Sequence, residues 1–431
     1  MAPPANPMPL KVAVIGAGWA GLSAAITATQ RGHQVRLFEA SRHWGGRARS
    51  LEVQHANYPA LDNGQHILIG AYQQTFSLMK TVGIDMDQVL WRMPLNLKDT
   101  QGHGLALNRW PRPLNLLWGI ATAKGWSIDD KWQLLKTAAH WRKNQFKCDP
   151  QLSVANLCQA LTPKVFANFI EPLCVSALNT PAHQASGAVF LRVLHDALLG
   201  PQGSSDLLLP RKDLGELFPH AAVKWLTDRG AACQLGTRIH HIERIKADQV
   251  QWQIEGQMFD HVVLATPAWD AAQLMAPLQA AWAENAAQLK HEAIATVYIQ
   301  ADSDFKLSQP MMALQSSATA PAQFVFDRGQ MYEEANTPGL LAFVVSASHQ
   351  TKAALEENVL QQAMTLTGHA RLTVVQTVIE KRATFACTPD LKRPHPKPLS
   401  GLSICGDYVE GPYPATLEGA VMSGLRAGTL G

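Results

Sequence analysis

A glycine-rich turn near the start of the chain has the residue types and spacing that suit phosphate binding. Gly16, Gly18 and Gly21 form the pattern GxGxxG between an apolar stretch and an alanine-rich one. The first glycine permits a tight turn, the second lets the backbone approach a pyrophosphate, and the third lets a helix pack closely on a strand. Trp19 and Ala20 would begin that helix, whose free amides face the phosphate charge. The pattern therefore predicts dinucleotide binding.

An acidic residue follows at the distance that a dinucleotide site needs. Glu39, with Ala40 beside it, ends the next predicted strand, Gln34 to Glu39. A carboxylate at this position accepts hydrogen bonds from ribose hydroxyls and repels a 2′-phosphate. The expected ligand is therefore NAD or FAD rather than NADP.

A second glycine pair distinguishes between those two ligands. Gly45 and Gly46 are followed by Arg47, Ala48, Arg49 and Ser50, a bare backbone followed by cations. Such a segment suits a loop that folds over the same pyrophosphate from the other side. The combination of GxGxxG and GGRxRS resembles the FAD motif of the amine oxidase and phytoene desaturase superfamily. The resemblance implies non-covalent FAD.

Other segments extend that resemblance along the chain from residue 11 to residue 424. The segment 61–66 resembles the superfamily loop beside the isoalloxazine ring, and the segment 406–420 resembles its C-terminal flavin motif. A further segment, 237–242, resembles a strand that packs on adenine. The resemblance implies additional cofactor contacts from these residues: Gln65, His66, Ile239, Gly406, Asp407, Thr416 and Leu417.

The sequences of three segments resemble one particular family within this superfamily. DNGQHILIGAY at 62–72, ATFACTP at 383–389 and GDYVEGPYPATLEGAVMSG at 406–424 closely resemble the bacterial hydroxysqualene dehydroxylases of hopanoid biosynthesis. This family is also described as squalene-associated FAD-dependent desaturases. The resemblance implies reduction of hydroxysqualene to squalene with loss of the hydroxyl group. FAD would be the immediate hydride carrier, and the electron donor to FAD is unidentified.

Removal of an allylic hydroxyl needs an acid and a dry apolar pocket, while the cofactor performs the redox step. His66 and Tyr413 are the candidate catalytic residues, because both belong to segments expected near the ring. The alternative is that His66 is a hydrogen-bonded structural histidine and Tyr413 a wall of the pocket. Asp62 is expected to be structural. Cys387 lies upstream of the last motif but lacks the neighbouring glycines of covalent flavin sites.

Three other functions share this scaffold. A carotenoid or dehydrosqualene desaturase would use the flavin in the oxidative direction, and the residues alone do not fix the direction of hydride flow. An amine oxidase would need an aromatic cage, which no segment supplies clearly. Rab GDP-dissociation inhibitors bind isoprenoid lipids on the same fold without flavin catalysis, and the intact flavin motifs argue against that function here.

The elements that would position these residues predict an α/β fold. A Rossmann-like FAD-binding domain would be interleaved with a mixed-sheet substrate domain and a helical insertion, as in amine oxidases and glutathione reductase. Strands are expected over Lys11 to Ile15, Ala231 to Ile242, Val250 to Ile254 and His261 to Pro267, with substrate-domain strands after residue 293. The expected divisions are 1–75, 226–270 and 386–431 for the FAD domain, and 76–225 and 271–385 for the substrate domain.

Composition limits the partners. The 431 residues carry 37 basic and 34 acidic side chains, a net charge of +3, so nucleic acid is not expected. Six cysteines without metal-ligand spacing predict neither disulfides nor a metal site. No secretory signal is expected in Met1 to Leu10, so the predicted location is cytoplasmic.

A tryptophan-rich segment adds a peripheral contact with the membrane to these expectations. Between Arg109 and Lys147, five tryptophans stand among eight basic residues: Trp110, Trp118, Trp126, Trp132 and Trp141. Tryptophans beside cations suit a bilayer interface, where the rings lie at headgroup level and the cations meet anionic lipid. The alternative is a partly solvated helical face with its tryptophans in the core.

Overall fold

The structure is a computed structural model that describes residues 8–51, 58, 61–246, 251–332, 337–368 and 371–430. The strands are β1 Lys11–Ile15, β2 Gln34–Phe38, β3 Ser50–Leu51, β4 Leu61–Asp62, β5 Leu68–Ile69, β6 Leu90–Met93, β7 Asn96–Lys98, β8 Gly104–Ala106, β9 Leu207–Pro210, β10 Ala232–Gln234, β11 Glu243–Lys246, β12 Gln251–Ile254, β13 Gln257–Phe259, β14 His261–Leu264, β15 His291–Gln300, β16 Met311–Ala313, β17 Phe324–Asp327, β18 Leu340–Ser346, β19 Thr373–Phe385 and β20 Leu402–Ile404.

Helices occupy much of the remaining chain. They are α1 Trp19–Gln30, α2 Gln73–Thr81, α3 Met86–Val89, α4 Leu114–Thr122, α5 Ile128–Lys143, α6 Val154–Leu157, α7 Pro163–Val165, α8 Glu171–Leu178, α9 Gly187–Leu199, α10 Leu214–Leu217, α11 Pro219–Thr227, α12 Ala268–Met275, α13 Ala280–Ala287, α14 Arg328–Met331, α15 Lys352–Thr367 and α16 Leu417–Gly428, with a π-helical turn over Phe166–Ile170 before α8. No described helix is long and apolar enough to cross a bilayer.

A parallel sheet holds the N-terminal glycine motif. Its strand order is β10-β2-β1-β14-β20, and all four neighbouring pairs are parallel. β1 and β14 are apolar and almost fully buried, as expected for the centre of a sheet covered on both faces. The prediction of a Rossmann-type sheet is confirmed, with strands drawn from the beginning, the middle and the end of the chain.

An antiparallel sheet forms the second layer. Its strand order is β16-β17-β18-β15-β19, and all neighbouring pairs are antiparallel. β15 and β18 pair from Ile294 opposite Ser346 to Gln300 opposite Leu340. One face packs on α15, while residues of the other face, such as Tyr298, join the main core. The prediction of substrate-domain strands after residue 293 is confirmed. The fold class is therefore α/β with a parallel and an antiparallel sheet.

The predicted strand Ala231 to Ile242 is wrong over most of its length. Only β10 is extended, and Gly236 then takes a φ of +65° that turns the chain away. The Gly236 amide donates to the Ser41 carbonyl, and the Thr237 amide donates to the Glu39 carbonyl. The chain thus turns over the end of β2 instead of continuing the strand. Val250, the first residue of the next predicted strand, lies outside the described residues, and β12 follows it.

The tryptophan-rich segment contains helices α4 and α5, and its tryptophans divide into two groups. β6, β7 and β8 precede this segment. Trp126 and Trp141 are buried, and the Trp126 ring lies 5.9 Å from the Phe169 ring. Trp110, Trp118 and Trp132 are exposed. The alternative that the tryptophans lie in the core therefore holds for Trp126 and Trp141, and not for the three exposed tryptophans.

Candidate active site

The GxGxxG turn is built as the spacing predicts. Gly16 has a φ of +104°, and a Cβ there would lie 2.6 Å from the Ala265 carbonyl oxygen. A Cβ on Gly21 would lie 1.9 Å from the Gly16 oxygen, so that no side chain fits at either position. Gly18 differs, because its Cβ direction is open except for Gly46 Cα at 3.8 Å. The open glycine is the one through which a pyrophosphate would approach.

The second glycine pair lies directly on the first turn. The Gly45 amide donates to the Ala17 carbonyl at 2.9 Å, and Gly18 and Gly45 form a parallel bridge. Gly46 has a φ of +64°, and a Cβ on it would approach Gly18 Cα to 3.1 Å. Two segments that the sequence separates therefore form one backbone surface at the N-terminus of α1.

Glu39 lies at this surface and holds the turn. Its Oε2 accepts a hydrogen bond from the Ala17 amide at 2.7 Å, and its Oε1 accepts one from the Ser41 amide at 2.8 Å. An ionised carboxylate has about four lone-pair sites, so two sites stay available to ribose hydroxyls. Ala40 is exposed beside it. The predicted ribose contact stays a prediction, and the structure adds a role in shaping the turn.

Trp19 and Ile239, two predicted cofactor contacts, are both buried. The Trp19 indole donates to the Ala48 carbonyl at 3.3 Å, and its ring lies 4.7 Å from Phe218. The Trp19 side chain thus packs the second glycine loop against the protein, and only its backbone belongs to the helix start. Ile239 is buried in the loop after β10, so its assignment to a strand is wrong.

The last helix lies along the first one with its N-terminus displaced. A Cβ on Gly424 would lie 2.1 Å from the Ala20 oxygen, and one on Gly428 would lie 2.5 Å from the Ala24 oxygen, so α16 runs parallel to α1 in close backbone contact. α16 begins seven residues before Gly424, while α1 begins one residue before Ala20. At 1.5 Å per residue, the α16 N-terminus lies about 9 Å beyond the α1 N-terminus.

The start of α16 keeps amides free for a ligand. Thr416 caps the helix by accepting a hydrogen bond from the Gly419 amide at 3.0 Å, and Leu417 is the first helical residue. First-turn amides have no intrahelical acceptor, and they carry the positive end of the helix dipole. Two such ends about 9 Å apart along one direction suit an extended ligand with a phosphate near one and an electron-rich carbonyl near the other.

Arg47 and Asp407, predicted as separate cofactor contacts, form an ion pair. The Arg47 Nη2 lies 2.6 Å from the Asp407 Oδ1, and Asp407 is buried. Arg393 donates to the Asp407 and Tyr413 carbonyls, at 3.2 Å and 2.8 Å, and so holds the loop between them. Gly406 begins this loop with its amide 3.2 Å from the Ser423 hydroxyl. The pair relieves the repulsion that Asp407 alone would exert on a phosphate.

His66 is buried and held through its Nδ1 atom. Its Nδ1 lies 2.9 Å from the Gly64 carbonyl oxygen, so Nδ1 carries the proton. Burial lowers the pKa of His66, and the hydrogen bond to Gly64 opposes that change. In the neutral ring Nε2 then has no proton to donate. The preceding Gln65 is held by its amide to Thr296 at 3.3 Å.

A buried polar network anchors this loop, and sequence reasoning missed most of it. Asp62 Oδ2 lies 2.9 Å from Arg328 Nη1, and the two side chains are 1% and 2% exposed. The Tyr332 hydroxyl donates to the same oxygen at 3.1 Å, the Tyr298 hydroxyl donates to the Asp62 carbonyl at 3.0 Å, and Arg328 also donates to Gln65. The expectation that Asp62 is structural agrees with these contacts.

Tyr413 belongs to a different cluster, which is open to water. Its hydroxyl donates to Asp196 Oδ2 at 2.6 Å, and Arg192 Nε donates to the same oxygen at 2.8 Å. His195 Nδ1 lies 2.8 Å from Asp196 Oδ1, and the His195 side chain is exposed. Burial, together with Asp196, raises the pKa of Tyr413 to about 12. No contact among the described residues joins Tyr413 to His66.

Asp196, Arg192 and Glu418 are functional candidates that sequence reasoning missed. Arg192 and Asp196 stand four residues apart on α9, a spacing that places them on one face. Glu418 accepts hydrogen bonds from the Gln74 and Thr75 amides at 3.0 Å and 2.9 Å, and so joins α16 to the start of α2. The i,i+4 spacing of Arg192 and Asp196 is visible in the sequence, and Glu418 lies within the segment 406–420 that resembles the C-terminal flavin motif.

Unpartnered polar atoms test whether a flavin dinucleotide fits this surface. The Thr266 and Tyr408 hydroxyl oxygens are buried without a hydrogen-bond partner in the described part of the chain. Thr266 follows β14, and Tyr408 follows β20, at the carboxyl edge of the parallel sheet where dinucleotides bind. Open backbone at Gly18, free helix amides and these hydroxyls fit the group. Among the described residues no cluster of His, Cys, Asp or Glu is suited to a metal ion.

The chain is similar to known proteins over nearly its whole length. A hydroxysqualene dehydroxylase of Zymomonas mobilis is 24% identical over 437 residues, covering 97% of this chain and 98% of its own. A zeta-carotene desaturase of Zea mays is 42% identical over 76 residues, which cover 18% of this chain and 13% of its own. The solved structure of cyclohexylamine oxidase from Brevibacterium oxydans has a TM-score of 0.70 at 15% identity, covering 98% of both chains.

The family model described as flavin containing amine oxidoreductase matches residues 19–429. This range includes the second glycine pair, the loop with His66 and the start of α16. The chain therefore belongs to the family of flavin containing amine oxidoreductases.

Proposed function

We propose that this chain is a non-covalent FAD enzyme that reduces hydroxysqualene to squalene with loss of the hydroxyl group. The observation that carries the proposal is the similarity over nearly the whole chain to a hydroxysqualene dehydroxylase. Cys387 is buried, and burial raises the pKa of its thiol to about 12, which disfavours the thiolate that covalent attachment would need.

The reaction assigns different tasks to the chain and to the cofactor. When bound, reduced FAD supplies the hydride that replaces the departing hydroxyl group. The cofactor would be held by the glycine surface at Gly18 and Gly46, by Glu39 and by the amides at Leu417. The chain must also deliver one proton to the leaving oxygen, because hydroxide is a poor leaving group.

Tyr413 supports the role of acid better than His66 does. A leaving hydroxide becomes water, which is a much weaker acid than a phenol with a pKa of about 12, so Tyr413 can protonate it. The Tyr413 proton points to Asp196 in this structure, but a phenol O–H can turn about its C–O bond toward a substrate oxygen. Burial lowers the pKa of His66 and favours its neutral form, whose Nδ1 proton is fixed in the ring and faces the Gly64 carbonyl. We infer that Tyr413 protonates the leaving oxygen and that His66 offers Nε2 as a hydrogen-bond acceptor.

Asp196 would act on the reaction through Tyr413. Before the reaction it accepts a hydrogen bond from the phenol at 2.6 Å and so positions the ring, and its charge favours the protonated phenol. After proton donation, the tyrosinate lies next to a cluster that reaches solvent through His195. Asp196 is therefore a positioning residue in this proposal, and the proton returns to Tyr413 from water.

The test is a single turnover without oxygen. Dithionite-reduced protein mixed with hydroxysqualene should reoxidise its flavin and yield squalene, and deuterium placed on the reduced cofactor should appear in the product. Tyr413→Phe should slow reoxidation by about 10²- to 10⁴-fold, the usual contribution of an acid. Tyr58→Phe is the matched control, since the Tyr58 hydroxyl donates to Gln300 instead of the Asp196 cluster. Reduced enzyme that ignores hydroxysqualene would refute the proposal.

A carotenoid or dehydrosqualene desaturase is the second candidate. The observation that favours it is that the Tyr413 hydroxyl donates to Asp196, a geometry in which an ionised carboxylate can draw a proton from the phenol while the phenol takes one from a substrate. Proton removal is what desaturation needs. Oxidised protein should then desaturate squalene or phytoene. A colourless protein without flavin would instead support the isoprenoid-binding alternative.

A further inference from the structure

An exposed apolar surface surrounds α4 and the start of α5. Six large apolar side chains on it face solvent in the described part of the chain, and we name it the α4 surface: Trp110, Leu114, Leu117, Trp118, Ile128 and Trp132. Ile128 is 88% exposed and Trp132 is 65% exposed. The Trp110 and Trp118 rings lie 5.1 Å apart. Lys131 Nζ of α5 donates to the Ala121 carbonyl of α4 at 2.7 Å, so the start of α5 lies beside the end of α4. The six side chains are therefore grouped and not scattered singly. A contiguous patch of this kind marks an interaction site.

Helix α4 is apolar on its outer side as well as on its inner side. Ile120 belongs to the main core, whereas Leu117 and Trp118 are exposed, and the helix contains no charged residue. A helix on the surface of a globular protein normally turns its polar side outward. The outward face of α4 therefore suits an apolar environment better than water.

Basic side chains surround the α4 surface. Residues 109–136 contain five Lys or Arg and two Asp. Arg109, Lys124 and Lys136 are exposed, whereas Asp130 is buried in the capping box of α5 and accepts a hydrogen bond from Thr162 at 2.6 Å. The exposed acid is Asp129. The charge around the patch is thus positive, and it complements an anionic partner.

The α4 surface is attached to α9, the helix that carries Arg192 and Asp196. Arg112, in the segment before α4, donates to the Ala197 carbonyl at 3.0 Å and also to the Gly200 carbonyl. Both carbonyls lie at the C-terminal end of α9, next to Asp196. A ligand that arrives at the α4 surface therefore arrives at the end of α9 nearest the proposed acid.

We propose that the α4 surface docks on an anionic lipid bilayer. Its tryptophans and leucines enter the interface while Arg109, Lys124 and Lys136 contact lipid headgroups. The docking itself rests on the surface alone. Its use, which is to take an apolar substrate directly from the bilayer, rests on the proposed function.

The test is flotation of the flavin-loaded protein with vesicles and without substrate. Vesicles of phosphatidylglycerol and phosphatidylcholine should carry the wild-type protein, and phosphatidylcholine alone should carry at least tenfold less. The variant Leu117→Ser with Trp118→Ser should bind at least tenfold more weakly and keep its flavin. The matched control is Leu235→Ser with Met258→Ser, since Leu117 is 48% exposed and Leu235 is 39% exposed. The control should float like the wild type.

A second arm tests the charge. Lys124→Glu with Lys136→Glu should release the protein from anionic vesicles, whereas Lys290→Glu with Lys352→Glu should not. Equal flotation of all variants would overturn the proposal, and so would wild-type protein that stays off both kinds of vesicle. Gel filtration in which Leu117→Ser with Trp118→Ser converts a dimer to a monomer would assign the surface to a second copy of this chain. None of these outcomes bears on dehydroxylation, which is measured separately in single turnover.

Discussion

The cofactor surface and the substrate-side clusters are built in different ways. Backbone groups make the first, where Gly18 and Gly46 meet and helix amides point outward. Side chains make the second, and their partners are distant in the chain: Asp62 and Arg328 are 266 residues apart, and Tyr413 and Asp196 are 217 apart. A backbone site tolerates most side-chain changes but no added bulk. A side-chain site depends on each of its partners.

The two side-chain clusters also differ from each other. The Asp62–Arg328 pair is sealed from water, so its attraction is strong and its loss leaves a buried charge. The Asp196 cluster is half-exposed at Arg192 and His195, so it can exchange protons with solvent. The first therefore suits a fixed support, and the second suits a group whose proton must be replaced at each turnover.

The largest effect should come from adding bulk to the backbone surface. Gly18→Glu would place a charged side chain where the pyrophosphate approaches, so we expect complete loss of bound flavin. The absorption spectrum of the purified protein measures this loss. Gln30→Glu adds a negative charge at the exposed far end of α1, and it should keep the flavin. A yellow Gly18→Glu protein would contradict the Rossmann assignment.

Breaking the sealed pair should reduce the stability of the fold. Arg328→Met leaves Asp62 buried without its cation, and removal of one partner of a buried pair costs about 3 to 5 kcal/mol in the free energy of unfolding. Denaturant unfolding of the flavin-loaded protein measures it. Lys224→Met removes an exposed pair with Asp228 and should cost at most about 1 kcal/mol. Equal costs for the two variants would remove the contrast between sealed and open clusters.

Removing the Glu39 carboxylate from the cofactor surface should have a smaller effect on FAD binding. Glu39→Ala frees the Ala17 amide and removes the expected ribose contact, so FAD should bind more weakly by about 1 to 3 kcal/mol. Titration of the apoprotein with FAD gives the dissociation constant. Glu243→Ala, an exposed change on β11, should leave that constant unaltered. An unchanged constant in Glu39→Ala would move the ribose contact elsewhere.

The smallest expected effect is a shift of pH dependence in the open cluster. Asp196 favours the protonated phenol, so Asp196→Asn lowers the pKa of Tyr413 from about 12, and the alkaline fall in single-turnover rate moves to lower pH. Arg192 lowers the same pKa, so Arg192→Met should move that fall to higher pH. Opposite shifts would identify Tyr413 as the acid. Shifts in the same direction would indicate a merely structural cluster.

Local motifs account for what was predictable. The turn at Gly16 to Gly21 and the loop at Gly45 need backbone angles that favour glycine, so the glycines themselves indicate both features in the sequence. The contacts of Arg328 and Asp196 depend on how two sheets and α9 meet, which no short segment encodes. The strand to Ile242 failed for a related reason, because Gly236 turns the chain over the end of β2.

The parallel packing of α16 on α1 has a consequence for synthesis of the chain. About 390 residues separate the end of α1 from the start of α16, which at 5 to 20 residues per second is a delay of about 20 to 80 s. During that time α1 presents the face that Gly424 and Gly428 will later cover, namely Ala20, Ser23, Ala24 and Thr27. These side chains are small, so this face of α1 exposes little apolar area while the ribosome completes the helix that covers it.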